Sequence, residues 1–159
     1  MYLVLAFSLK LFLLCVSAAI ASDFAGPVVG VIDGDSIRVM HNGKAEQIRL
    51  IGIDCPEQKQ AFGQRAKQAT STLSYGQNVT IERTGKDRYG RTLATVVLRD
   101  GKNLNHELVS QGWCWWYRKY APRDTVLEGL ENEARLAKRG LWVDPRPIPP
   151  WEWRASSLN

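Results

Sequence analysis

The chain has 159 residues, of which 45% are hydrophobic and 23% charged, and its formal net charge is +5 with a pI of about 9.3. A chain of this length forms one domain with one core and is too short for two, and its ordinary hydrophobic content excludes a largely disordered protein. The excess of basic residues favours polyanionic partners such as nucleic acid, anionic lipid or acidic glycans.

The first 21 residues are predicted to be a signal peptide. Lys10 is followed by the apolar run Leu11–Val16, and Ala19-Ile20-Ala21 has the form of a signal-peptidase site. A membrane anchor is the alternative, but a membrane-spanning helix would place Lys10 near the centre of the bilayer, where a charge is costly. Cleavage after Ala21 would export the mature chain to the periplasm or the exterior, without a stable membrane association.

The mature chain is predicted to contain five strands, which alternating polarity and Gly-containing turns delimit. Arg49 shares a strand face with Ile51 and Ile53, and because a charge among apolar neighbours usually has a partner, we expect Arg49 to have one. The predicted strands are Pro27–Ile32, Ser36–Met40, Glu46–Ile53, Val79–Glu82 and Leu93–Leu98.

Three helices are predicted among and after these strands. Apolar residues with helical spacing predict helices over 62–73 and 104–109. Thr125 and Glu128 have the spacing of a capping box at the start of a third helix, which we expect to end around Gly140.

The C-terminal part of the chain is predicted to be extended. Residues 144–151 contain four prolines, and such a segment favours a strap-like conformation without a helix. Short strands with Gly turns favour a small barrel, so we expect one barrel domain over residues 22–150 and a C-terminal tail over 151–159.

Charged residues collect at the turns and strand ends of this predicted barrel. Each alone is consistent with an ordinary surface turn. Together they offer what phosphodiester hydrolysis requires: carboxylates for a hard cation, arginines for phosphate oxygens and a carboxylate for the attacking water. The sequence has two histidines and neither an H-E-x-x-H nor a C-x-x-C pattern, which argues against zinc. The charged residues are Asp33, Asp35, Arg49, Asp54, Glu57, Arg88 and Arg91.

Three segments in this order resemble the staphylococcal nuclease (thermonuclease) family: Ile32–Ser36, Ile48–Glu57 and Asp87–Arg91. Further similarity at 100–112 and 137–142 extends the resemblance to most of the mature chain. It implies a mainly β fold with helices, in which an OB-fold barrel of five strands carries three helices. It also implies a Ca²⁺-dependent endonuclease that hydrolyses DNA and RNA to 3′-phosphate products with little sequence specificity, and we expect a monomer.

The resemblance also assigns roles to the acidic motif residues. Asp35, Asp54 and the backbone carbonyl of Cys55 would bind Ca²⁺. Asp33 would lie just behind these ligands and support them. Glu57 would orient or deprotonate the attacking water.

The basic and aromatic motif residues would contact substrate. Arg49 and Arg91 would hold the scissile phosphate, and Arg88 and Tyr89 would contact a neighbouring one. The family's base-stacking tyrosine falls in an aromatic and basic run that contains Tyr117, which we take as the candidate. Such a run suits stacking on bases together with phosphate contact, and a core cluster with two exposed cations is the alternative.

Two features depart from the family. The loop after Glu57 is shorter than the corresponding loop of the staphylococcal enzyme. The substrate contacts of that longer loop therefore cannot all be assigned to this chain. Cys55 stands where the family has threonine, and after signal cleavage Cys114 is the other remaining cysteine. We hypothesise that Cys55 and Cys114 form a disulfide in an oxidising compartment, and the alternative is that both are reduced and packed.

Two other functions compete with the nuclease. One is an inactive OB module that binds single strands or protein partners. Such a module would be expected to lose a metal carboxylate or a phosphate-binding arginine, whereas this chain retains the full set. The other is a basic domain that binds the cell wall, which would explain the charge and the export but leaves the acidic and arginine cluster without a role.

Overall fold

The computed structural model describes residues 22–157. The predicted signal peptide at 1–21 lies outside the described residues, as does the end of the predicted tail, 158–159. None of the helices within 22–157 is long and apolar enough to cross a membrane.

Five strands close into a barrel in the order β1-β2-β3-β6-β5. All neighbours are antiparallel except β3 and β6, which run parallel with Arg49 opposite Leu93. This mainly β architecture with helices confirms the predicted fold class. The barrel strands are β1 (Phe24–Asp33), β2 (Ser36–His41), β3 (Lys44–Leu50), β5 (Asn78–Lys86) and β6 (Thr92–Val97), and a separate pair is formed by β4 (Ile53–Asp54) and β7 (Trp115–Trp116).

Alternation along the strands fills the barrel with β-branched and aliphatic side chains. In a strand successive side chains point to opposite faces, so every second residue of β2 and β6 points inward. The buried side chains of these strands include Val28, Ile37, Val39, Ile48, Leu50, Val79, Ile81, Ala94 and Val96.

The third predicted strand is shorter than expected. Glu46–Ile53 was predicted as one strand, but β3 ends at Leu50 and β4 begins at Ile53. Gly52 causes the break because it has a φ of +74°, where a side chain is strained, and an added Cβ would lie 2.9 Å from Leu127 Cδ1. This turn carries Asp54 away from the barrel wall and onto β4.

Within residues 22–157 four α-helices surround the barrel, one more than predicted. The third helix is capped by Asp124, whose side chain accepts a hydrogen bond from Leu127 N, so the predicted capping role of Thr125 is wrong by one position. It ends at Leu136, and a separate 3₁₀ turn covers Gly140–Val143. The helices are α1 (Gly63–Ser74), α2 (Leu104–Ser110), α3 (Thr125–Leu136) and α4 (Pro150–Ser156).

The extended tail predicted after residue 144 is wrong at its end, where α4 forms. Pro150 begins this helix, at a position where the missing N–H of proline has no cost. Trp151 packs against a second cluster beside the barrel, formed by Trp115, Ala134, Leu141 and Trp142. Residues 151–157 of the predicted tail are therefore part of the folded domain.

Candidate active site

Arg49 joins two buried carboxylates at one end of the barrel. Its Nε lies 3.2 Å from Asp35 Oδ1, and its Nη2 lies 3.2 Å from Asp54 Oδ1. Asp35 and Asp54 are 5% and 2% exposed. Arg49 Nη1 also donates to the carbonyls of Leu50 and Ile53, at 2.6 and 3.1 Å. The partner predicted for Arg49 is thus this pair of aspartates, and Arg49 also braces the turn between β3 and β4.

Close packing holds Asp35 against the Asp54 segment. Asp35 Oδ2 accepts from the Cys55 backbone N at 2.7 Å, and the Asp35 carbonyl accepts from Leu50 N at 2.9 Å. The preceding Gly34 is required because a Cβ there would lie 2.6 Å from Cys55 Cβ. The Asp33-Gly34-Asp35 turn is therefore fitted to the backbone that carries Asp54.

Cys55 and Cys114 are joined by a disulfide. Both cysteines are buried, and Cys114 directly precedes β7, where Trp115 pairs with Asp54 of β4. The bond fixes the backbone on the C-terminal side of Asp54, where the Cys55 carbonyl was predicted as a metal ligand.

Glu57 begins a tight turn that leads into α1. Its carbonyl accepts from Gln60 N at 2.9 Å, and its backbone N donates to Gln60 Oε1 at 3.1 Å. Gly63, the first residue of α1, packs so closely that an added Cβ would overlap the Glu57 carbonyl oxygen. The short loop after Glu57 is thus ordered by Gln60 and by the absence of a side chain at residue 63.

Replacing Gly63 with alanine is expected to displace the Glu57 turn. We expect the free energy of unfolding to fall by about 1–3 kcal/mol, the usual cost of overpacking, and kcat to fall because Glu57 moves. Gly129→Ala is the matched control, since an added Cβ there meets nothing within 4 Å in α3 and should stabilise the helix by roughly 0.5–1 kcal/mol. Urea unfolding and steady-state kinetics measure both variants. A Gly63→Ala protein as stable and active as the parent would contradict this account.

Arg154 of α4 completes the cluster, and the sequence did not indicate it. Its Nη2 lies 2.7 Å from Asp54 Oδ2, and its Nη1 lies 3.3 Å from Asp54 Oδ1 and 2.7 Å from Glu57 Oε1. Glu57 and Asp54 are thus brought within the width of one guanidinium group. The only local signal was the Pro149-Pro150 pair, which could have marked the start of a helix.

Two carboxyl groups of the cluster, those of Asp33 and Asp54, have raised pKa values. Burial raises the pKa of Asp33 to about 6, and the nearby charge of Asp35 adds to this effect. Burial also raises the pKa of Asp54, although the hydrogen bond from Arg154 opposes it. Asp33 Oδ1 accepts from the Asp35 backbone N at 3.2 Å, and the supporting role of Asp33 stays a prediction.

Arg91 lies in the loop between β5 and β6, directly before the strand that pairs with β3. Asp87 holds it: Oδ2 accepts from Arg91 Nε at 2.7 Å, and Oδ1 accepts from the backbone N of Arg91 and of Tyr89. Within residues 22–157 the two terminal nitrogens of Arg91 have no protein acceptor. Arg88 lies over the exposed Tyr89 ring at 4.8 Å. This loop therefore presents guanidinium donors, and the side-chain hydrogen bonds and ion pairs of Arg49 within residues 22–157 all go to other parts of the chain.

The aromatic run after α2 is partly core and partly surface. Trp115 and Trp116 are buried, whereas Tyr120 is exposed. The Tyr117 ring stacks on Trp151 with 5.2 Å between centroids and 4° between planes, so one of its faces is already covered. Base stacking by Tyr117 stays a prediction.

A buried carboxylate that sequence reasoning missed fixes this run. Glu131 of α3 is fully buried and accepts from the Trp116 backbone N at 3.0 Å. It also pairs with Arg118 at 3.2 Å and with Arg135 at 3.1 Å. Glu131 stands four residues after Leu127 and three before Ala134, on the buried face of α3, and this helical spacing is the one sequence signal that separates it from the solvated glutamates of the same helix.

The donor chemistry of the site fits a hard divalent cation. Asp35 and Asp54 supply carboxylate oxygens, and Arg154 already places a positive charge on Asp54 and Glu57. No three His, Cys, Asp or Glu side chains within 22–157 converge as a complete metal site. Ca²⁺ takes six to eight oxygens, so water and substrate oxygens would have to supply the remaining ligands.

Comparison with known proteins identifies relatives that are named as nucleases. The family described as staphylococcal nuclease homologue matches residues 47–144. An uncharacterized endonuclease of Escherichia coli O157:H7 is 47% identical over 85% of this chain and 88% of its own length. Micrococcal nuclease of Shigella flexneri is 41% identical over 92% and 89%, respectively. Staphylococcal-like nuclease CAN1 of Arabidopsis thaliana is 36% identical over 70% of this chain and 34% of its own length.

Proposed function

The chain belongs to the staphylococcal nuclease family and is a nuclease, a hydrolase of nucleic acid, and we propose that it uses Ca²⁺ to cleave both DNA and RNA, leaving 3′-phosphate ends. The observation that carries the proposal is the buried pair Asp35 and Asp54, which share Arg49 and lie beside Glu57 through Arg154. Burying two ionised carboxylates next to each other costs free energy unless nearby positive charge offsets their repulsion and desolvation.

Asp35, Asp54 and the carbonyl of Cys55 would hold the cation. When bound, Ca²⁺ would neutralise charge that develops on the phosphate oxygens. Asp33 keeps Asp35 oriented through the Asp35 backbone N.

Glu57 would act on the water. Its side chain is 39% exposed, so water can reach it, and a carboxylate there can accept a proton as the water oxygen attacks phosphorus. The new bond is P–O from water, and the broken bond is P–O5′. The 5′ oxygen takes a proton from solvent water and leaves as a hydroxyl, the proton held by Glu57 returns to solvent, and the phosphate stays on the 3′ side.

Arginine donors would stabilise the charge on the phosphate. Arg49 already donates three hydrogen bonds, to Asp54 and to two carbonyls, and its Nε forms an ion pair with Asp35 at 3.2 Å, so one N–H of Nη2 can be offered without rearrangement. Arg91 has both terminal nitrogens available beyond its bond to Asp87. We therefore assign the larger share of phosphate binding to Arg91.

Substrate binding would show little sequence preference. Arg88, Tyr89 and Tyr117 are the candidate contacts, and cations and rings of this kind bind phosphates and base faces, which carry no base-edge information. The single disulfide of 22–157 is consistent with an oxidising compartment. We propose a monomer that is exported by its signal peptide to the periplasm or secreted, with no stable membrane association after cleavage.

Plasmid cleavage by the purified mature chain tests the calcium requirement. We expect supercoiled DNA and a structured RNA to be degraded in Ca²⁺, and activity to disappear in excess chelator and return on adding Ca²⁺, because Asp35 and Asp54 depend on a cation for phosphate binding. Products should accept label at the 3′ end only after phosphatase treatment. Asp35→Asn is the matched loss-of-ligand control. Undiminished cleavage in chelator would contradict the proposal.

A further inference from the structure

Arg154 lies where a cation would have to bind. Its guanidinium group contacts both oxygens of Asp54, at 2.7 and 3.3 Å, and Glu57 Oε1 at 2.7 Å. Asp35, Asp54 and Glu57 contribute three carboxylates to the cluster, while Arg49 and Arg154 contribute two positive charges. The docked arginine therefore offsets much of the negative charge that would attract a metal ion.

The geometry points to Arg154 as an internal competitor for the cation site: α4 closes the site in the metal-free protein, and a divalent cation binds only when the Arg154 side chain leaves Asp54. This inference rests on the proposed calcium function. It adds a regulatory role for a segment beyond the family match, which ends at residue 144.

Competition follows from the shared oxygens. A Ca²⁺ ion would lie 2.3–2.6 Å from a ligand oxygen, and Asp54 Oδ2 is bonded to Arg154 at 2.7 Å. Two positive groups cannot occupy that side of one carboxylate without strong repulsion. Asp54 Oδ1 also accepts from Arg49, so departure of Arg154 would free Oδ2 while Arg49 continues to orient the carboxylate.

The position of Arg154 allows it to leave at small cost. The helix α4 is seven residues long and ends at Ser156, two residues after Arg154, and the last turn of so short a helix frays readily. Trp151 anchors its first turn by stacking on Tyr117 and packing against Trp115. Arg154 is three residues further on, and its side chain is 42% exposed. The last turn can therefore open while the Trp151 anchor stays in place.

Calcium affinity in the absence of nucleic acid tests the inference directly. Calorimetric titration of Ca²⁺ into Arg154→Gln at fixed ionic strength should give a Kd about tenfold tighter than in the parent, if the closed form is favoured by roughly ten to one. Arg146→Gln removes an equal charge at an exposed site in the segment before α4 and should leave the Kd nearly unchanged. Arg154→Lys keeps the charge but loses the two-pronged contact, and its Kd should lie between.

Hydrogen exchange supplies a second measurement on the unaltered protein. Saturating Ca²⁺ should speed exchange of the last-turn amides of α4, whereas the amides of α3 should not change. A Kd for Arg154→Gln equal to or weaker than the parent's, with α4 protection unchanged by Ca²⁺, would overturn the competition. Absence of Ca²⁺ binding in every variant would overturn the calcium proposal itself, so the two failures are distinguishable.

Discussion

Arg91→Gln is expected to lower kcat by about 100- to 1,000-fold, the scale for removing one transition-state donor, with a smaller effect on KM. The reason is the availability of its guanidinium: Asp87 binds only Nε and leaves the terminal nitrogens for phosphate. A contact made mainly in the transition state lowers kcat more than it weakens binding.

Two controls separate this role from loss of charge. Arg99→Gln removes the same charge from an exposed turn and should keep kcat close to the parent value. Asp87→Asn keeps Arg91 but weakens its support and should give an intermediate kcat. Steady-state kinetics on a short oligonucleotide, together with thermal unfolding, measures all three. An Arg91→Gln enzyme with near-parental kcat would remove Arg91 from the proposed mechanism.

Loss of the Cys55–Cys114 disulfide is expected to have the largest effect on stability. The bond spans a sequence separation of 59, and in the chain-entropy model a loop of that length contributes about 4 kcal/mol to the free energy of unfolding. Cys55→Ala/Cys114→Ala should lose about that amount in urea unfolding. Activity should fall as well, because the bond holds the backbone next to Asp54.

Reduced parent protein is the control for the packing lost when the alanine substitutions remove the two buried sulfur atoms. It keeps both sulfur atoms in their buried sites, so a loss of stability shared with the double variant belongs to the bond. Thiol titration of unfolded, unreduced mature protein should find no free thiol. Two titratable thiols, or a reduced protein as stable as the oxidised one, would contradict the prediction.

The residues that could be predicted from the sequence lie in contiguous motifs, and those that could not are brought in by tertiary packing. Asp35, Arg49 and Asp54 each stand at a strand end, and the sequence pattern placed them together. Arg154 lies 100 residues from Asp54, just beyond the proline-rich segment 144–151 that was predicted to be extended. Tertiary packing decided otherwise, since burial of Trp151 beside the barrel gives that segment a surface on which a helix can form.

The strand break at Gly52 was missed for a different reason. The alternating residues before and after it satisfy a strand pattern, and this pattern outweighed the glycine. The positive φ of Gly52 and its contact with Leu127 become visible only when α3 is in place. Glu131 was missed for a similar reason. Its partners, the Trp116 backbone N, Arg118 and Arg135, surround its carboxylate only in the folded chain.

The parallel pairing of β3 with β6 determines the stage of folding at which the chain can begin to cleave nucleic acid. Those strands are separated by β4, α1 and β5, and long-range pairings of this kind form late because a large loop must be closed first. Arg49 and Arg91 lie on opposite sides of that seam, and Asp54 is secured by a cysteine bridge to a still later segment. A newly made or unfolded chain therefore carries every reactive group while lacking their arrangement, and hydrolysis should begin only after the barrel has closed.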